Sequence, residues 1–203
     1  MRQVCMGRLY IDKRFFAGSE TRWVSFETDP RLKRTKNDIY GKCVPCIMNL
    51  YEQLSAGKTE IELGSAYNCW KIVVPVKSID ECTKFLSEFE KNIPDDMYIK
   101  GRFGSGDTSK KTKVIVFNTE NETEKDLLYN ALKECAAGLE PQPQVIYHKA
   151  CADLYHELLG NWRQWSETAT IKNPAMVKPI VERIRKVLYW EKDFAPTDPE
   201  KRK

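Results

Sequence analysis

Histidine is scarce in this sequence, long apolar runs are missing, and no segment is repeated or low in complexity. With two histidines among 203 residues, there is little material for histidine-based metal sites or catalytic motifs. The longest strongly apolar stretch, around 72–76, is about a quarter of the ~20 residues that a membrane-spanning helix needs. Because no repeat occurs at a period of about 20–50 residues, solenoids and propellers are excluded.

The N-terminal charges argue against a signal peptide, and the cysteine count indicates a reducing compartment. Five charged side chains among residues 1–16 leave no apolar core for a signal peptide, so we expect none. The seven cysteines form no dense framework, and a chain of this length does not need disulfide bonds for stability. We therefore expect a soluble cytoplasmic protein with reduced thiols and no association with membranes.

Positive charge is concentrated near the N-terminus. Residues 1–42 contain ten Lys/Arg and five Asp/Glu, residues 43–150 contain thirteen and sixteen, and residues 151–203 contain ten and eight. A basic arm and a weakly basic tail on a slightly acidic body suit an anionic partner such as RNA or DNA. Ordinary surface solvation is the alternative explanation of an excess this small.

The periodicity of apolar residues predicts an α+β fold. Residues 68–149 follow the order β-α-β-β-α-β of the ferredoxin-like split βαβ fold, in which an antiparallel sheet carries two helices on one face. The first helix is expected at 78–93, where Ser78 and Glu81 form an S-x-x-E capping box, and the second at 120–137. Extra N-terminal strands, a helix at 43–56 and a C-terminal helical tail complete the expected fold.

These elements predict three segments along the chain. Residues 1–42 are expected to form a basic N-terminal arm with short strands, and residues 43–160 the α+β core domain. Residues 161–203 are expected to form a helical tail packed on that core. The stretch 28–42 is the best internal boundary, because it contains proline, glycine and five basic residues with little apolar periodicity.

The leading functional hypothesis is a nucleic-acid-binding module, with RNA favoured over DNA. In RNA-binding sheets of this topology, aromatic side chains stack on bases and basic side chains contact phosphates. The glycine-rich loop at 101–113 adds lysines and exposed amides that could hold phosphate, although a flexible hairpin is the alternative. The predicted contacts are Arg31, Lys33, Arg34 and Lys36 in the arm, and Lys100, Arg102, Phe103, Lys110, Lys111 and Lys113 around the hairpin.

A second hypothesis, from a different class, is a zinc-binding or thiol enzyme. Cys43 and Cys46 form a C-x-x-C at the start of a predicted helix, a spacing that suits a redox pair or half of a zinc site. His148 and Cys151 form an H-x-x-C that would complete a Cys3His zinc site. Cys151 activated by His148 would alternatively be a nucleophile. Chance pairing is the competing explanation, because compact zinc sites have far shorter spacings.

A third hypothesis is a structural or interaction subunit, including a homo-oligomer. Large aromatic side chains are common anchors of protein interfaces, and the candidates are Trp162, Trp165, Tyr189 and Trp190. Whether the protein is an enzyme stays open, since no serine elbow, paired-carboxylate motif or metalloprotease helix accompanies the histidines. Zinc is the one cofactor that the sequence pattern suggests.

Overall fold

The computed structural model describes residues 3–12, 23–35, 43–104 and 113–189 of the chain. They belong to two compact units, each made from two separate stretches of sequence. The first unit draws on residues 1–39 and 68–150, and the second on residues 40–67 and 151–203.

These units divide the chain differently from the arm, core and tail expected from the sequence. The expected arm, residues 1–42, supplies three strands of the first unit. The helix expected at 43–56 and the expected tail, 161–203, both belong to the second unit. The difference arises because segments far apart in sequence share one hydrophobic core, which local periodicity does not reveal.

The described residues form nine strands and six helices. The strands are β1 (Gln3–Met6), β2 (Leu9–Asp12), β3 (Trp23–Glu27), β4 (Glu60–Glu62), β5 (Trp70–Val76), β6 (Lys100–Gly104), β7 (Lys113–Thr119), β8 (Ile146–Lys149) and β9 (Thr168–Thr170). The helices are α1 (Val44–Ser55), α2 (Ser65–Asn68), α3 (Ile79–Lys91), α4 (Glu122–Ala137), α5 (Ala152–Leu159) and α6 (Val177–Tyr189). In the part of the chain that the structure describes, none of the helices has the length and apolar character to cross a bilayer.

One antiparallel sheet of seven strands is the framework of the first unit. Its order is β1-β2-β3-β6-β7-β5-β8. The pairing of β3 with β6 places Ser25 opposite Arg102 and so adds the N-terminal strands to the sheet. The predicted α+β class with an antiparallel sheet is confirmed.

The helices α3 and α4 pack on the same face of this sheet. Phe85 and Phe89 of α3 and Leu128 of α4 lie in one buried cluster with Ile72 and Phe117 of the strands. Both helices begin as their sequences predict. The Ser78 side chain accepts a hydrogen bond from the backbone N–H of Glu81, and Asn121 accepts one from Glu124, bonds worth about 1 kcal/mol each.

The second unit has its own core, built from α1, α5, α6 and the antiparallel pair β4 and β9. Apolar residues three or four apart on each helix supply that core, as expected for amphipathic helices. They include Leu50, Leu54, Tyr155, Leu158, Ile180 and Ile184. Packing in this core explains the apolar spacing that predicts a helix at 43–56. It also explains the apolar stripe of the C-terminal tail.

Candidate nucleic-acid interface

Strand alternation sends the side chains of β6 to opposite faces of the sheet. Gly101 and Phe103 face α3 and α4, and a Cβ at Gly101 would collide with the Phe26 ring. Lys100 and Arg102 therefore point to the face opposite α3 and α4, which we call the helix-free face because neither of these two helices covers it. The cross-strand pairs place on this face Tyr10, Trp23, Ser25, Glu27, Lys71, Val73, Lys100, Arg102, Val116 and His148.

Phe103 lies on the helix side of the sheet, contrary to the stacking role predicted for it. Only 6% of its surface is exposed, and its neighbours across the strands are Val24 and Ile115. The period of two in β6 forces this position, because Phe103 must share a face with Gly101 and Ile99. The ring is part of the core of the first unit.

Lys100 is on the helix-free face but is not available as a phosphate contact. The residue is 6% exposed, and its Nζ lies 2.6 Å from Oε1 of Glu120. This charge-assisted bond neutralises the ammonium within the fold. The phosphate-binding role predicted for Lys100 therefore has no support in its surroundings.

Trp23 and Arg102 form a half-buried pair on the helix-free face. The guanidinium carbon of Arg102 lies 5.2 Å from the centroid of the Trp23 ring, within cation–π range. The residue opposite Trp23 across the strands is Gly104, which has no side chain to cover the indole. A flat aromatic ring and a planar cation side by side are what stacking of single-stranded bases uses. Sequence reasoning missed Trp23, although the alternation of Trp23, Ser25 and Glu27 was the available signal.

A buried carboxylate holds the segment that follows β3. Glu27 is fully buried and accepts hydrogen bonds from the backbone N–H groups of Arg34 and Thr35 and from the Tyr98 hydroxyl. Burial, and then the bond to Glu27, raise the pKa of Tyr98 well above its ordinary value. The Arg34 guanidinium carbon lies 4.3 Å from the centroid of the Tyr98 ring. Arg34 is thus exposed on a rigidly attached segment.

The other basic residues predicted in the arm differ in their availability. Arg31 is engaged by Asp29, whose Oδ2 lies 2.7 Å from Nη2. The Arg31 guanidinium lowers the pKa of Asp29 to about 2. Lys33 is exposed, and Lys113 begins β7 opposite Val76. Lys36, Lys110 and Lys111 lie outside the described residues.

Arg34 and Lys100 also border a cleft of about 520 Å³ in the first unit. Four carboxylates line it beside these two cations, so its balance of charge is negative. Such a lining repels phosphate. The cleft walls include Asp95, Asp96, Glu120, Glu124, Tyr98 and Leu127. We therefore place the candidate interface at Trp23 and Arg102 rather than in this cleft.

The zinc site predicted at Cys43, Cys46, His148 and Cys151 is not supported by the described residues. Cys43, Cys46 and Cys151 belong to the second unit and His148 to the first. His148 Nδ1 lies 2.8 Å from the Lys149 carbonyl oxygen, a distance at which a protonated Nδ1 donates a hydrogen bond. Over residues 3–12, 23–35, 43–104 and 113–189, no three His, Cys, Asp or Glu side chains are arranged to hold a metal ion. The zinc hypothesis therefore gains no support.

The aromatic residues predicted as interface anchors are partly core residues. Trp165 is 7% exposed and meets Tyr155 edge to face at 5.9 Å, inside the second unit. Trp162 is half-buried, with the Arg163 guanidinium 4.5 Å from its ring centroid. The Tyr189 side chain and Trp190 lie outside what the structure describes.

Comparison with known proteins gives no relative from which a function could be transferred. No protein-family model matches the chain, and no curated protein and no solved structure matches it. The functional conclusion therefore depends on the chemistry of the chain's own residues.

Proposed function

We propose that the protein binds single-stranded nucleic acid, RNA in preference to DNA, on the helix-free face of the first unit. The observation that carries the proposal is the Trp23–Arg102 pair. A base stacks on the indole, and the guanidinium adds a cation beside the stacked ring or the adjacent phosphate. This combination tolerates any base sequence, because every base has a π-face.

The strand order supports a more specific fold for the platform. Within residues 68–149, the order β6-β7-β5-β8 and the common face of α3 and α4 agree with a ferredoxin-like split βαβ unit and support this proposal. We propose that β1, β2 and β3 extend this unit at its β6 edge. The extension is functionally important, because β3 brings Trp23 beside Arg102.

Charge on and beside the helix-free face supports an anionic partner. Lys71 and Arg102 belong to the face, and exposed Lys33 and Arg34 follow β3. The buried Glu27 network holds Arg34 in place without its guanidinium entering an ion pair with Glu27. Each phosphate contact made by such residues makes the affinity more sensitive to salt. The logarithm of the binding constant falls with the logarithm of the salt concentration, with a slope of about 0.7 per contact for single strands.

The cysteine usage favours a cytoplasmic location. The seven cysteines are an odd number in a chain with enough apolar residues for a stable core. A reducing compartment keeps such thiols free. RNA is abundant there, which agrees with the proposed ligand.

The test is fluorescence anisotropy of labelled oligouridylate and oligodeoxythymidylate with the full chain, at low salt and over a salt series. We expect Trp23→Ala to weaken binding by about 5- to 150-fold, the equivalent of about 1–3 kcal/mol for one stacked base. Trp23→Phe should retain part of the affinity, since it keeps a ring. Arg102→Gln should weaken binding. Lys133→Gln removes the same charge but should not weaken binding, because exposed Lys133 lies on α4, on the opposite side of the sheet.

Two controls separate binding from folding. Trp162→Ala removes a half-buried tryptophan from the second unit and should leave the affinity unchanged. Circular dichroism of each variant establishes that it is folded at the assay temperature. Absence of binding to either oligonucleotide at low salt would overturn the proposal, and equal affinity for both would overturn the RNA preference.

A further inference from the structure

Cys43 and Cys46 lie within one helical turn at the start of α1. The Cys43 backbone has φ −72° and ψ −36°, so the turn is helical from this residue onward. Helix geometry then places the two Cα atoms about 5 Å apart. Disulfides span Cα separations of about 4.4–6.8 Å. The backbone therefore already has the separation that a bond between these two sulfurs requires.

The two thiols differ in their exposure. Cys43 is half-buried, whereas Cys46 is 8% exposed and packs in the core of the second unit. The Cys46 carbonyl oxygen accepts a hydrogen bond from the Tyr155 hydroxyl at 3.3 Å, which holds this turn against α5. Cys43 is thus the more accessible of the two residues, and Cys46 is sheltered in the core of the second unit.

The Cys43 side chain is not engaged in capping α1. Cys43 makes no side-chain cap hydrogen bond, and Pro45 occupies a first-turn position that needs no donor. The Cys43 thiol is therefore not held in a hydrogen bond with the first-turn amides.

Other cysteines of the chain are unsuited to such chemistry. Burial raises the pKa of Cys82 well above its usual range and that of Cys135 to about 12. A thiol of this kind is inert as a nucleophile. The two lie on α3 and α4 and fill the core of the first unit.

We propose that Cys43 and Cys46 are a dithiol–disulfide pair that exchanges electrons with low-molecular-weight disulfides such as glutathione disulfide. The Cys43 thiolate attacks one sulfur of the small disulfide, forms a mixed disulfide and releases one small thiolate. The Cys46 thiolate then attacks the Cys43 sulfur, forms the Cys43–Cys46 bond and releases the second small thiolate. Two protein thiols are oxidised, one disulfide is reduced, and the two released protons convert the small thiolates to thiols. This activity does not depend on nucleic-acid binding.

The chain itself provides a clean assay. Trypsin cleaves after Lys42 and Lys58, so Cys43 and Cys46 share a tryptic peptide that contains no other cysteine. The full-length protein is equilibrated in buffers of increasing ratio of glutathione disulfide to glutathione, then alkylated, digested and measured by mass spectrometry. We expect the 43–58 peptide to lose two hydrogen atoms and its alkylation reversibly as the ratio rises.

Variants assign the order of the two steps. Cys46→Ala should accumulate a glutathione adduct on Cys43, because no second thiol resolves it. Cys43→Ala should form no adduct on the sheltered Cys46 over the same period. Cys69→Ala, the loss of another half-buried cysteine, should leave oxidation of the 43–58 peptide unchanged. Thermal unfolding checks that Cys46→Ala is folded. Cys43→Ser provides a second substitution at position 43, which is partly exposed.

Three results would overturn the proposal. One is a 43–58 peptide that stays fully alkylated while other cysteines are oxidised. Another is a disulfide that joins Cys46 to Cys151. The third is a wild-type protein that keeps glutathione on Cys43 without forming the internal bond.

Discussion

The Tyr98 hydroxyl donates a 2.6 Å hydrogen bond to the buried carboxylate of Glu27. This bond ties the residues before β6 to the end of β3, the strand that carries Trp23. The same carboxylate accepts hydrogen bonds from two backbone N–H groups of the segment that carries Arg34. One carboxylate therefore connects the end of β3, the segment that carries Arg34 and the residues before β6.

Tyr98→Phe tests this network. We expect the variant to lower the free energy of unfolding by roughly 1–2 kcal/mol at neutral pH, because a carboxylate loses one of its donors. The pKa of Tyr98 in the fold is above its unfolded value of 10.0, so the phenol's contribution is complete below that pH and is lost as pH rises past it. Urea unfolding at neutral pH and above pH 10 should show the difference between wild type and variant shrinking.

Tyr129→Phe is the matched control for Tyr98→Phe. Tyr129 is half-buried and meets Tyr147 edge to face at 5.0 Å, and its hydroxyl makes no hydrogen bond to a described residue. Equal losses of stability in the two variants would show that the Glu27 bond contributes nothing of its own.

Asp29→Asn tests whether Arg31 is a latent phosphate contact. The variant removes the partner that holds Arg31, so nucleic-acid binding should tighten and its salt slope should steepen by about 0.7.

The lowered pKa of Asp29 means that its ion pair stabilises the fold above pH 3.8, and that this contribution is lost as pH falls to about 2. Acid unfolding of the variant should therefore lack this part of the pH dependence.

Asp95→Asn is the control for the charge itself. Asp95 is an exposed carboxylate that meets Arg8 at 3.4 Å, so its loss changes the net charge by the same amount. If both variants bind the oligonucleotides equally well, net charge explains the gain and Arg31 makes no specific contact.

Phe103→Ala should affect stability and not binding, whereas Trp23→Ala should chiefly affect binding. Removing the Phe103 ring leaves a cavity beside Val24 and Ile115, which should cost about 3–5 kcal/mol of unfolding free energy. The affinity of the folded fraction for oligouridylate should not change, because the ring faces the helices. Urea unfolding and anisotropy on the same samples measure both quantities.

Phe103→Leu keeps the prediction testable if the alanine variant does not fold. The leucine fills most of the space and should preserve both folding and affinity. A fully folded Phe103→Leu protein with reduced affinity would place the ring in the interface instead of the core.

Local physics in the sequence was sufficient for the individual elements of the first unit. The β-branched run around Ile72, Val73, Val74 and Val76 predicts a strand, because β-branched side chains favour the extended backbone. The cap at Ser78 predicts the start of α3, because a side-chain oxygen satisfies a free first-turn amide. Asn118, Thr119 and Asn121 are all possible caps for α4, and the structure shows that Asn121 is the one used. These signals involve residues that are neighbours in the chain, so no tertiary information is needed to read them.

Only the tertiary structure decided which of these residues meet. Trp23 and Arg102 are far apart in the chain and become neighbours through the pairing of β3 with β6, a register that no local pattern encodes. The pairing of β6 with β7 likewise brings Lys100 to Glu120. The packing of α3 and α4 decides that the face of Phe103 is the buried one. The second unit likewise exists because residues 40–67 and 151–203 bury their apolar faces together. Burial of apolar surface has no direction along the chain, so the sequence determines which faces are apolar, and the fold determines what covers them.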